Sequence, residues 1–142
     1  MPKEKPIVLV LEDEAFLRDA LIKTLEKSGQ YQVLSGENGR DGLAEVKAHA
    51  SGFGFLKNKI DCILLDQQMP VMNGIQVATQ LQQLGRSYAQ IPVILCTSFG
   101  SAEDIQEAIS SKCNLVATLA KPAPEKTLLE LVSTIIQKGT GK

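Results

Sequence analysis

The sequence predicts a doubly wound α/β domain built on a five-stranded parallel sheet. Three observations carry this reading. Short apolar, β-branched segments lack the polar alternation of a half-solvated strand, so they suit strands covered on both faces. Stretches with helical apolar spacing lie between them. The strict alternation of the two types implies right-handed crossovers, which place helices on both sides of the sheet.

The elements follow in order along the chain. The first strand is Ile7–Leu11. Phe16, Leu17, Ala20, Leu21, Thr24 and Leu25 then recur at helical spacing, and Gly29 stops that helix. A weaker strand at 31–34 precedes a helix over 38–46, which opens on Asn38 with Asp41 three places on. The connection at 49–59, HASGFGFLKNK, is long for a compact domain. Its Phe53 and Phe55 are read as packing under a longer helix or loop rather than as a partner-binding patch. The third strand covers 62–65, and Asn73 caps a helix through Val77, Ala78, Leu81 and Leu84 that ends near Gly85. After the fourth strand, 93–96, Ser101 to Asp104 resembles a capping box ahead of Ile105, Ala108 and Ile109. The fifth strand, 115–119, leads to Pro124 in a first helical turn. Leu128, Leu131, Val132, Ile135 and Ile136 form the apolar stripe of the last helix.

Composition narrows the function classes. The chain has 142 residues, 44% hydrophobic and 22% charged, which fits one globular domain over 1–142 with its core at about 7–138. No output domain is expected within these 142 residues. Fifteen Lys and Arg against sixteen Asp and Glu give a net charge of −1, so the chain does not grip nucleic acid by bulk charge. No apolar run approaches the roughly 20 residues of a membrane span. The N-terminal apolar run enters acids at Glu12, unlike a signal peptide. Cys62, Cys96 and Cys113 are odd in number and lack metal-ligand spacing; they read as small core residues of a reduced, cytoplasmic protein. His49 reads as a surface residue. The glycine-containing segments GENGRDG and SGFGF match neither a phosphate-binding loop nor a dinucleotide fingerprint.

In open α/β sheets, sites form at the carboxyl ends of the strands. There the sequence places Glu12, Asp13 and Glu14 after the first strand, Asp66 after the third, Thr97 and Ser98 after the fourth, and Lys121-Pro122 after the fifth. Gathered carboxylates repel one another unless a cation is present. An all-oxygen donor set favours a hard ion such as Mg²⁺. A carboxylate nucleophile beside Mg²⁺ and a lysine can form an aspartyl phosphate, with the cations neutralising the transferring group.

The segments IVLVLEDE, ILLDQQMPVMNG, PVILCTS and LAKP, in this order and spacing, closely resemble the receiver domain of two-component response regulators. The resemblance implies a flavodoxin-like fold with strand order 2-1-3-4-5. It implies Asp66 as phosphoacceptor, Asp13 as a direct Mg²⁺ ligand, Glu12 acting through water, and the backbone carbonyl of Gln68 as a further ligand. Thr97 matches the hydroxyl that moves to the phosphoryl group, and Lys121 the lysine that pairs with acceptor and phosphate. Pro122 matches a proline preceded by a cis peptide, and Pro70 and Gly74 the residues that shape the loop after the acceptor. The implied donor is a histidine kinase or histidine phosphotransfer protein. The implied activity is self-catalysed phosphorylation and dephosphorylation rather than substrate turnover.

Two departures stand out. Glu12 replaces the Asp often found at the first acidic position, and Thr118 stands three residues before the lysine, where the family usually has an aromatic. The aromatic's absence points to switching by helix or loop repacking around Thr97. Two other readings remain at this level. A phosphohydrolase with an aspartyl nucleophile would place a second Asp where Gln68 stands. A phosphate-independent interaction module would not require the five chemical positions to be competent, and here they are.

Overall fold

The computed structural model describes residues 5–51, 57–98 and 103–140. Ile7, Val8, Leu9, Val10 and Leu11 form β1 (Ile7–Leu11), and all five side chains are buried because successive residues point to opposite, covered faces. The chain continues through α1 (Ala15–Lys27), β2 (Gln32–Gly36), α2 (Gly39–Ala48), β3 (Ala50–Ser51), β4 (Lys57–Asn58) and β5 (Ile60–Asp66). It ends through α3 (Gly74–Leu84), α4 (Arg86–Ala89), β6 (Pro92–Thr97), α5 (Glu103–Ser110), β7 (Asn114–Ala120) and α6 (Glu125–Thr140). The main sheet is ordered β2-β1-β5-β6-β7 and every pairing in it is parallel. Counting its five strands along the chain, this is the expected 2-1-3-4-5 arrangement.

The sheet separates two apolar clusters. Ile7, Leu9, Leu11, Ile63, Leu65, Val93 and Leu95 face α2, α3 and α5 through Leu43, Val46, Val77, Leu81 and Ile109. Val8, Val10, Cys62, Leu64, Ile94, Cys96 and Leu119 face α1 and α6 through Leu25, Leu128, Val132 and Ile136. Each fully buried Leu or Ile contributes about 1.5–3 kcal/mol relative to exposure. All three cysteines are buried and free, as expected of core residues. Burial pushes the Cys62 and Cys96 thiols up to about 12.

Local signals terminate the helices as anticipated. The Asn38 Oδ1 accepts the Asp41 N–H at 2.8 Å at the start of α2. Asn73 and Gln76 exchange side chain-to-backbone bonds, both 2.9 Å, at the start of α3. The box expected at Ser101, like Phe53 and Phe55, lies outside the described residues.

Three stretches of the chain differ most from expectation. β2 runs over Gln32–Gly36 rather than 31–34, because Ser35 and Gly36 pair with Val10 and Leu11 although neither is apolar. The 49–59 connection contributes β3 and β4, which pair antiparallel as Ala50↔Asn58 and Ser51↔Lys57. Between α3 and β6 the chain forms the extra turn α4, which buries Tyr88 in the core.

Candidate functional site

Strand register assembles the site. Leu11 pairs with Leu65, Asp66 with Cys96, and Thr97 with Ala120, so β1, β5, β6 and β7 end along one edge. Glu12 and Lys121 are the next residues after their strands. The Lys121 Nζ lies 2.6 Å from Glu12 Oε1 and 3.2 Å from Asp66 Oδ1. Its backbone N–H donates to the Thr97 carbonyl at 2.7 Å, which ties the ends of β6 and β7 together. The Lys121–Pro122 peptide is cis, as the resemblance implied.

Asp66 and Glu12 are buried and Asp13 is exposed. Carboxylate oxygens of the three lie within 4.8 Å of one another. Among the described residues no other group of three acidic, His or Cys side chains converges in this way. Burial, then the neighbouring Glu12 charge, pushes Asp66 up to about 6. Lys121 and the Gln68 N–H, which donates to Asp66 Oδ1 at 3.2 Å, oppose that rise. Burial works to lower the Lys121 pKa, but its bond to Glu12 and the Asp66 and Glu12 charges outweigh this and raise it.

This donor set fits Mg²⁺. It is all oxygen, and two of its carboxylates are buried with a single ammonium between them. The third is open to solvent, which leaves room for the waters this ion keeps. A cavity of about 270 Å³ opens onto Asp66, Gln67, Gln68, Thr97, Ser98 and Ile105. A second, more apolar cavity of about 340 Å³ lies between α1 and the β7–α6 connection and reaches Glu12 and Lys121 but not Asp66. Only the former gives access to the candidate nucleophile.

The flanking loops are held by residues that the sequence reading did not single out. Arg18 of α1 donates to the Glu12 carbonyl at 2.9 Å and, at 3.4 Å, to that of Asp13. The Gln67 side chain accepts the Ile75 N–H at 2.9 Å. Within the same loop Met72 N–H bonds the Pro70 carbonyl at 2.7 Å, with Val71 in the left-handed region at φ 70. Gly39 donates to the Met72 carbonyl, and any Cβ at position 39 would collide with that oxygen. The loop is thus packed against the start of α2. A basic residue one turn after an acidic strand end, and a polar residue beside Asp66, are the only sequence signals for these roles.

Of the other residues considered, Ser98 is exposed at the strand end. His49 sits at the C-cap of α2, its Nδ1 2.9 Å from the Glu45 carbonyl. It takes no part in the site.

Residues 8–133 match the response regulator receiver domain family. The chain belongs to that family. It is 31% identical over 129 residues to protein PilH of Pseudomonas aeruginosa, covering 91% of this chain and 96% of PilH. It is 26% identical over 126 residues to the chemotaxis protein CheY of Bacillus subtilis, covering 89% of this chain and 93% of CheY. Transcriptional regulators also match, and there the chain spans 38 to 51% of the regulator's length. Among solved structures, the receiver domain of sensor histidine kinase PA1611 from P. aeruginosa superposes with a TM-score of 0.75 at 20% identity. That match covers 94% of this chain and 98% of that one, and the PA1611 structure has a magnesium ion coordinated in its active site cleft. The receiver fold and its place in two-component signalling are therefore shared. Among the described residues no helix is long and apolar enough to cross a membrane.

Proposed function

We propose that this receiver is a phosphorylation-activated switch that takes a phosphoryl group onto Asp66 from a histidine kinase or histidine phosphotransfer protein, with Mg²⁺ required. The observation that carries the reading is the buried Asp66 carboxylate, held between Lys121 and the Glu12–Asp13 pair with a cavity open in front of it.

The residues divide the work by their chemistry. Asp66 stays mostly ionised near neutral pH although its pKa is raised, so a carboxylate oxygen is available as nucleophile. That oxygen forms the new O–P bond as the P–N bond to the donor imidazole breaks, and the imidazole keeps the electron pair and takes up a proton. Asp13, Glu12, Asp66 and the Gln68 carbonyl would hold Mg²⁺, which supplies charge neutralisation at the phosphoryl oxygens. Lys121, a compact ammonium already 3.2 Å from Asp66, is placed to pair with the phosphate once the carboxylate charge is used. Later hydrolysis of the acyl phosphate resets the switch, so the domain modifies itself and does not turn over a separate substrate.

The new charge of about −1.5 to −2 pulls on Thr97 and Lys121, whose backbones are bonded to each other. Thr118 is exposed on β7 and has no ring to swing inward. The switching route therefore runs through repacking of the segment around Thr97. Incubation with acetyl phosphate and Mg²⁺, followed by intact mass measurement, tests the function. A gain of about 80 Da, one phosphoryl group, is expected and should vanish in Asp66→Asn. No adduct with any phosphodonor would sink the reading. Steady release of phosphate from a phosphomonoester would replace it with a phosphohydrolase.

A further inference from the structure

Gln67 follows the proposed acceptor and has no chemistry that marks it as functional. Yet both its oxygens are engaged. Its carbonyl accepts the Gly74 N–H at 3.1 Å, and its Oε1 accepts the Ile75 N–H at 2.9 Å. These belong to the first N–H groups of α3, which a helix cannot satisfy internally. The fit is close, because a Cβ at position 74 would stand 2.8 Å from Gln67 Oε1 and 3.0 Å from the Asp66 carbonyl. Gly74 is what lets the helix start approach this loop. One residue on, the Gln68 N–H donates to Asp66 Oδ1. Gln67 is therefore the backbone link between a fixed helix end and the hydrogen bond that orients the Asp66 carboxylate.

We propose that Gln67 is a positioning residue, pinning the β5–α3 loop to α3 so that the Gln68 backbone and the Asp66 carboxylate are pre-set for Mg²⁺. This rests on the reading of the Asp66 edge as a Mg²⁺ site. A second cap at the same helix end separates positioning from simple stability. Asn73 Oδ1 accepts the Gln76 N–H and Gln76 Oε1 accepts the Asn73 N–H, and neither bond touches Asp66, Gln67 or Gln68. Asn73→Ala thus weakens the start of α3 while leaving the link from Gln67 to Asp66 in place.

The test is a Mg²⁺ titration of the full chain, followed by the NMR shifts of the Gln68 and Gly74 amides, in the unsubstituted protein, Gln67→Leu, Gln67→Glu and Asn73→Ala. Losing a hydrogen-bonding partner behind a metal ligand costs about 10- to 100-fold in affinity. For a contact relayed by backbone we expect the lower end, about tenfold, in Gln67→Leu. Gln67→Glu keeps an acceptor at the same reach and recovers most of the loss. Asn73→Ala lowers the urea midpoint and leaves Mg²⁺ affinity unchanged. Should Gln67→Leu not fold, Gln67→Asn carries the same expectation, because its amide falls one methylene short of Ile75. Unchanged affinity in Gln67→Leu, or an equal loss in Asn73→Ala, overturns the proposal and leaves the Mg²⁺ site standing. No Mg²⁺ response in the unsubstituted chain overturns the site reading, and this proposal with it.

Discussion

Asp66→Asn removes a carboxylate that the fold holds under electrostatic load, so in the absence of metal it should make the protein more stable. Burial and the Glu12 charge lift the Asp66 pKa from 3.8 to about 6. Because the folded value lies above the unfolded one, the protonated carboxyl is tolerated. Ionisation then penalises the native state as pH rises from about 4 through about 6. At 2.303RT per pH unit, a displacement from 3.8 to about 6 is worth about 3 kcal/mol once the group is fully ionised. Solvent at this edge of the sheet screens part of the repulsion, which brings the expected gain to about 1–2 kcal/mol. For a domain of this size that is an increase of about 3–6 °C in Tm. Urea denaturation followed by circular dichroism, at neutral pH and at about pH 4, measures it directly. The gain should be present at neutral pH, vanish at the acid end, and shrink when Mg²⁺ relieves the wild-type carboxylates. A variant no more stable than wild type at neutral pH, or a gain that ignores pH, would refute the electrostatic argument.

Other expectations follow from the same geometry. Lys121→Met leaves Glu12 and Asp66 close together without their ammonium and should cost about 3 kcal/mol at neutral pH, with part of the loss recovered by saturating Mg²⁺. Equal urea midpoints for Lys121→Met and wild type would show that the pair contributes nothing. If switching proceeds around Thr97 without an aromatic at 118, beryllofluoride should shift amides through the segment from Thr97 to Ala120. Shifts confined to the neighbours of Asp66 would rule that route out.

Much of this was readable from the chain because the physics is local or follows a topological rule. The apolar runs of β1 and β5 are buried on both sides, which is what the absence of alternation meant. Asp66, Glu12 and Lys121 meet because parallel strands bring their carboxyl ends to one edge, whatever the sequence distance between them. What the chain alone does not show depends on tertiary partners. Ser35 and Gly36 become strand only because Val10 and Leu11 lie beside them. Two-residue strands such as β3 and β4 are too short to show a period, and α4 exists because Tyr88 has a core to enter. Gln67 and Arg18 act through backbone atoms of other residues, and side-chain identity alone does not announce such a role.

The five-stranded sheet also works as a partition. Side chains on the α1–α6 side and on the α2–α5 side touch different neighbours, so paired substitutions across the sheet should combine additively, whereas pairs within one side should interact. At the rim where the strands end, the partition runs out. There Lys121 reaches from the end of β7 to Glu12 and Asp66 and shares a backbone bond with Thr97. A charge deposited at that rim acts on both compartments at once, although neither has direct access to the other.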